Sequence, residues 1–546
     1  MFFSKKKEQT DVETAPASAG SQPAPDAPGL MGMTGLLNAA ADNTPDQIAT
    51  VMNGRRHSWN IVRDRVARFA GALRKLNVGP GDRIAVLALN SDRYTELYFA
   101  SWWSGGAIVP MNLRWSVDEN VYSLDDAEAE ILIVDDAFAP MAGQIMEKTK
   151  TVRTVIHMGD GPTPESFLSY DALIAENEPV EDAGRSGEDL AGLYYTGGTT
   201  GFPKGVMLPH RALWYNSLVA ANHASIGPED IYLHVAPMFH LADGAGGNAL
   251  SAAGGRHTYL PMFTPDGAID MIEAEGVTIA VMVPTMIAML LASPNFDPAR
   301  LKSLKKLIYG ASPMPAGVLK DLMEKLPNLK LLQGYGQTEL APMVSMLTPQ
   351  FHVTDGPKLK SAGRAVIGAE IRIEREDGTK CDYGEVGEIV VRSPGAMQGY
   401  WKLPEQTADT LKNGWVYTGD GAYMDREGFI FIVDRIKDMI VTGGENVFSA
   451  EVESAISTHP AVAEVAVIGI PAEQWGEAVH AIIVCKPGMT VTQDEIVAHC
   501  REKIANYKLP RSVSFRTDPL PLSGAGKVLK RDLRKPFWDG QDRAVN

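Results

Sequence analysis

Between about residue 35 and residue 434, short apolar segments alternate with amphipathic ones, and this alternation limits the fold more than any other feature. Segments 83–89, 130–134, 231–236, 277–283, 306–309 and 329–332 are dense in Val, Ile, Leu and Tyr. Segments 62–76, 210–221 and 316–325 repeat apolar residues at helical spacing. Strands that alternate with helices pair in parallel and are covered by helices. The chain is therefore expected to be α/β, with a large N-terminal domain of two parallel-type subdomains. From 368 to 434 short strands (369–374, 388–392 and 429–433) are divided by glycine turns, which predicts a small β-barrel-like subdomain. Residues 436–546 read as turn, helix (449–458), strands (464–470 and 479–485) and helix (492–504), a small α+β unit.

A chain of 546 residues exceeds one ordinary core. Its net charge of −16 argues against a general nucleic-acid binder. Cys381, Cys485 and Cys500 lack metal-ligand spacing and suit a reducing, cytoplasmic setting. No apolar stretch approaches the about 20 residues that span a bilayer. Residues 1–30 carry Lys5, Lys6 and Lys7, then Ala, Pro, Ser and Gly with no apolar core, so they read as a disordered tail rather than a signal peptide. Phe2, Phe3 and the lysines offer at most a weak peripheral membrane contact.

Tyr194 to Gly205 reads Tyr-Tyr-Thr-Gly-Gly-Thr-Thr-Gly-Phe-Pro-Lys-Gly. Glycines let backbone amides approach a ligand, threonines add hydroxyls and Lys204 adds a point charge, which together make a phosphate cradle. The lysine spacing is not that of Walker A. The loop lies between a strand end and a helix, where α/β folds bind phosphate. In Gly334-Tyr335-Gly336-Gln337-Thr338-Glu339, an aromatic between glycines can stack on a base, and Glu339 is a hard oxygen ligand suited to Mg²⁺. Trp415 to Asp420 reads as a tight turn ending in a carboxylate that could accept ribose hydroxyls, or simply cap the turn. Arg435, in Asp434-Arg435-Ile436-Lys437-Asp438, can fork onto phosphate or ribose oxygens. Lys527 follows a glycine-rich loop, and 501–535 contains ten Lys/Arg against three Asp/Glu.

Taken together, and in this order, these motifs resemble the adenylate-forming superfamily of acyl-CoA synthetases, aryl-CoA ligases, luciferases and adenylation domains. The resemblance covers about residues 35 to 535. It implies ATP, Mg²⁺ and coenzyme A as cofactors, and a tail (1–30), an adenylation domain (31–435) and a mobile domain (436–546) turning at Lys437. It implies that Thr196, Gly197, Gly198, Thr199, Thr200, Gly201 and Lys204 hold the β- and γ-phosphates. Tyr335 stacks on adenine, beside Gly336, with Gly310, Ala311 and Ser312 on the other face. Thr338 contacts the α-phosphate, Glu339 binds the metal, and Asp420 and Arg435 bind ribose. Lys527 bridges carboxylate and α-phosphate in adenylation. Gly443 and Gly444 line the pantetheine tunnel, with Trp475 near coenzyme A.

By the same resemblance, Pro237-Met238-Phe239-His240 opens the acyl pocket, with His240 lining it. Phe239-His240 offers no anion for an α-amine, although Asp243 lies nearby. Gly244, Ala245, Gly246 and Gly247 are expected to leave room, walled by Met282, Val283, Met286 and Met289. The partner is then a small carboxylic acid. A medium- or long-chain fatty acid leads, a cinnamate- or benzoate-type acid follows, and a non-catalytic nucleotide- or acyl-binding protein is the alternative of another class. No nucleic-acid partner is expected, and a homodimer is possible.

Overall fold

The computed structural model describes residues 31–196, 203–443, 445–472, 474–523 and 528–538. Two parallel-type sheets form the large domain. One has nine strands, and its middle runs Lys330–Gly336, Lys306–Gly310, Ile279–Met282, Ile231–His234, Arg256–Tyr259 and Ile48–Met52. The other has eight, centred on Leu190–Thr196, Ala107–Pro110, Arg83–Leu87 and Ile131–Val134. Two central strands are apolar throughout, as expected of strands buried on both faces: Ile131–Val134 and Ile279–Met282 are buried at every position. Ligands bind such sheets beyond the carboxyl ends of the strands.

The 368–434 region is a five-stranded antiparallel sheet, as expected. One reading within it is corrected. Trp415 to Asp420 is not a tight turn but the first part of the strand Trp415–Met424. Gly419 adopts φ +70°, and the pairing with Gly387–Arg392 shifts register beside it. The glycine makes a bulge, which turns the strand without ending it.

The small domain packs the helices Ser449–Ser457 and Gln493–Arg501 on a sheet built from Val462–Ala472, Gly476–Cys485 and Ser512–Arg516. At its junction with the large domain, Asp434 accepts a hydrogen bond from Ser449 Oγ at 2.6 Å. Ser449 Oγ in turn accepts from Lys530 Nζ at 2.6 Å, and Lys530 pairs with Glu453 at 2.7 Å. Among the described residues no helix is long and apolar enough to cross a membrane.

Candidate active site

Strand Lys330–Gly336 brings Tyr335 to the carboxyl end of the nine-stranded sheet. Neighbouring glycines there are required by close backbone approach. A Cβ on Gly310 would lie 2.2 Å from the Gly334 carbonyl oxygen, and one on Gly336 would lie 1.7 Å from that of Pro342. After Gly310 the chain turns through Ala311 at φ +65°, then Ser312. Thr338 and Glu339 follow on the 3₁₀ turn Thr338–Leu340.

Two groups of side chains meet at this end. In the first, Tyr335 donates its hydroxyl to Asp420 Oδ2 at 2.8 Å, while Arg435 Nε pairs with Asp420 Oδ1 at 3.0 Å. Asp420 and Arg435 are opposed residues of adjacent strands, so the pair is set by register. Burial, then the Asp420 charge, pushes the Tyr335 phenol well up and keeps it protonated. In the second group, Tyr400 donates to Glu339 Oε1 at 2.8 Å and Lys204 Nζ stands 5.1 Å from the centre of the Tyr400 ring. Lys204 opens the strand Lys204–Pro209 opposite Thr196. Lys437 joins the two groups. Its ammonium is pushed down to about 8 by burial, then by Arg435, with Lys204 adding to the repulsion. Lys204, Arg435 and Lys437 crowd one another near the Asp420 and Glu339 carboxylates, and a bound polyanion would relieve their mutual repulsion.

Gly197, Gly198, Thr199, Thr200 and Gly201 of the phosphate loop, Gly444 and Lys527 lie outside the described residues. Gly443 donates its amide to the Trp475 carbonyl oxygen at 2.9 Å, and the Arg511 guanidinium stacks 4.8 Å over the Trp475 ring. Arg114 reaches the Leu522 carbonyl oxygen at 3.3 Å, so the segment just before 524–527 rests on the large domain.

His240 caps the helix Leu241–Ala253, its Nδ1 accepting from the Ala242 amide at 3.2 Å, which leaves the ring proton on Nε2. Of the glycines that follow, Gly246 and Gly247 do not leave room. A Cβ on Gly246 would meet the Tyr232 hydroxyl at 2.5 Å, and one on Gly247 would meet His234 Cε1 at 2.7 Å. They let rings approach the helix. The cavity beside Gly244 and Gly247 measures about 10 Å³, enough for one water. Met282 is core and Met289 is half exposed. Asp243 is fully buried and engaged, accepting from Tyr232 at 3.1 Å and bonded to His234 Nδ1 at 2.6 Å, so it offers nothing to an α-amine.

Sequence reading missed Tyr400. Its signal was the Gly399-Tyr400-Trp401 triplet, which has no meaning until pairing with Lys204–Pro209 carries it beside Glu339.

The family model for the AMP-binding enzyme matches residues 37–401, and that for the AMP-binding enzyme C-terminal domain matches 451–527. The chain belongs to the AMP-binding enzyme family. It is an AMP-forming acyl-CoA synthetase of the adenylate-forming superfamily and uses ATP and coenzyme A. The synthetase is 37% identical to a feruloyl-CoA synthase of Amycolatopsis sp over 501 residues, 90% of this chain and 96% of that one. It is 33% identical to the fatty acid–[acyl-carrier-protein] ligase ScoC of Streptomyces coeruleorubidus, covering 95% and 99%. Its fold matches ATP-bound MatB from Rhodopseudomonas palustris with TM-score 0.84 at 30% identity, covering 93% and 99%.

Proposed function

We propose that the synthetase joins a free hydrophobic carboxylic acid to coenzyme A through an acyl-adenylate. The observation that carries this is the crowding of Lys204, Arg435 and Lys437 beside the Glu339–Tyr400 and Tyr335–Asp420 pairs. Attack of a carboxylate on the α-phosphorus of ATP brings two anions together, so the site must supply cations and donors. The carboxylate oxygen forms the new P–O bond and pyrophosphate leaves with the electron pair. The thiol of coenzyme A then takes the acyl group, losing its proton as AMP departs.

In this reading Thr196, the 197–201 loop and Lys204 clamp the leaving pyrophosphate. Tyr335, flanked by Gly310, Ala311, Ser312 and Gly336, takes adenine, and Thr338 takes the α-phosphate. Asp420 has lone pairs left for ribose after serving Tyr335 and Arg435. Glu339 spends one oxygen on Tyr400 and keeps the other for Mg²⁺. Among the described residues there is no three-ligand metal cluster, which suits a Mg²⁺ completed by nucleotide oxygens. Bound there, Mg²⁺ supplies charge neutralisation on the phosphates. Residues 31–435 perform adenylation, and 436–546 turn at Lys437 to exchange the Lys527 face for the Gly443–Gly444 face, with Trp475 and Arg511 beside coenzyme A.

An aromatic acid is the first reading, supported by similarity to a feruloyl-CoA synthase. A fatty acid is the second reading, supported by similarity to a fatty acid ligase. Activity is tested with ATP, Mg²⁺, coenzyme A and a panel of aromatic and fatty acids. AMP and pyrophosphate are expected, and ADP with phosphate would refute the mechanism. Lys527→Ala is expected to lose adenylation yet still convert supplied acyl-adenylate to thioester. Equal loss of both steps in a folded variant overturns the role given to Lys527.

A further inference from the structure

The turn that carries Met238, Phe239 and His240 belongs to the nine-stranded sheet, yet the other sheet holds it in place. Asn90 lies just past the carboxyl end of Arg83–Leu87 and is almost fully buried. Its Nδ2 donates to the carbonyl oxygens of Ala236 at 2.9 Å and of His234 and Leu260 at 3.2 Å each. Its Oδ1 accepts the Met238 amide at 2.8 Å. The other backbone group of the same residue is also held: Tyr98, on the helix Asp92–Ser104, donates its hydroxyl to the Met238 carbonyl oxygen at 2.9 Å. Both backbone groups of Met238 are thus bonded to side chains of the opposite subdomain. The His234 carbonyl oxygen also accepts the Leu260 amide at 3.1 Å, but the buried Ala236 carbonyl oxygen and the Met238 amide rely on Asn90.

We infer that Asn90 and Tyr98 are positioning residues for acid binding, fixing the turn on which Phe239 and His240 stand. The inference rests on the reading of that turn as the acid-binding segment. Neither side chain belongs to the nucleotide groups around Asp420 and Glu339. Loosening the clasp should therefore weaken use of the acid and leave use of ATP intact. A purely structural role would lower stability and spare that selectivity.

The test compares wild type, Tyr98→Phe and Asn90→Asp in acid-dependent ATP–pyrophosphate exchange, with thermal unfolding measured in parallel. Tyr98→Phe removes one hydroxyl from a buried ring and is the variant expected to fold. Its KM for the acid should rise about three- to tenfold, the effect of one buried hydrogen bond, with the KM for ATP unchanged. Asn90→Asp replaces that donor with a carboxylate oxygen, an acceptor facing three carbonyl oxygens, and should raise the acid KM further. An unchanged acid KM in folded Tyr98→Phe, or equal rises for acid and ATP, overturns the inference. Wild type that exchanges pyrophosphate with no acid in the panel would instead refute the proposed function.

Discussion

Tyr400 places its hydroxyl 2.8 Å from Glu339 Oε1 while its ring lies under the Lys204 ammonium at 5.1 Å. One aromatic side chain therefore contacts both the proposed metal ligand and the cation proposed to clamp the leaving group. Tyr400→Phe keeps the ring and loses the hydrogen bond. Adenylation at low Mg²⁺ should fall about tenfold and recover at high Mg²⁺, whereas Tyr400→Ala should not recover, because Lys204 also loses its platform. Magnesium titrations of pyrophosphate release distinguish the two variants.

Asp420 ties the Tyr335 phenol to the Arg435 guanidinium. Asp420→Ala leaves the Tyr335 hydroxyl and the Arg435 guanidinium without their shared carboxylate. The KM for ATP should rise by about tenfold or more, with the acid KM little changed, which is the reverse of the Tyr98→Phe pattern. Initial-rate kinetics with each substrate varied in turn give the comparison.

Lys437 has a folded pKa of about 8 against an ordinary 10.5. Between those values the unfolded chain holds the proton and the folded chain does not, so this group penalises folding below pH 8 and the penalty fades as pH rises to 10.5. A bound triphosphate favours the ammonium again. ATP binding at about pH 8.5 should take up protons. Calorimetry in buffers of different ionisation heat should detect this uptake, and Lys437→Met should abolish it.

His210 is fully buried, and its Nδ1 accepts the Met33 amide at 3.2 Å. Burial pushes its pKa down to about 4 from 6.5, outweighing the raising effect of Asp189, with Arg185 pushing the same way as burial. The stability it contributes is complete above pH 6.5 and is lost as pH falls toward 4, by at most about 3 kcal/mol. His210→Asn, which keeps an acceptor without titrating, should flatten the acid limb of denaturant unfolding between those pH values.

The alternation of strands and helices was legible because strands buried on both faces are continuous apolar runs; 306–309 and 316–325 fall within one residue of the observed elements. The residues proposed to hold the nucleotide could be picked out as candidates because each sits on a short local motif, such as Gly334 to Glu339. Tyr400, Asn90 and Tyr98 were not, since their meaning lies in partners far along the chain. Gly246 and Gly247 misled, because a missing side chain can make room for a ligand or for a neighbouring ring, and only the positions of Tyr232 and His234 decide which. Gly419 misled for a related reason: positive φ serves a bulge as well as a turn.

At the junction between the domains, the Ser449 hydroxyl stands between the Asp434 carboxylate of the large domain and the Lys530 ammonium of the small one. Turning the small domain as proposed hands Asp434 to water, and water contracts around a bare ion. The orientation with the cluster whole is then the more voluminous one. Hydrostatic pressure should favour the turned state and change the balance between the two half-reactions without altering a single substrate contact.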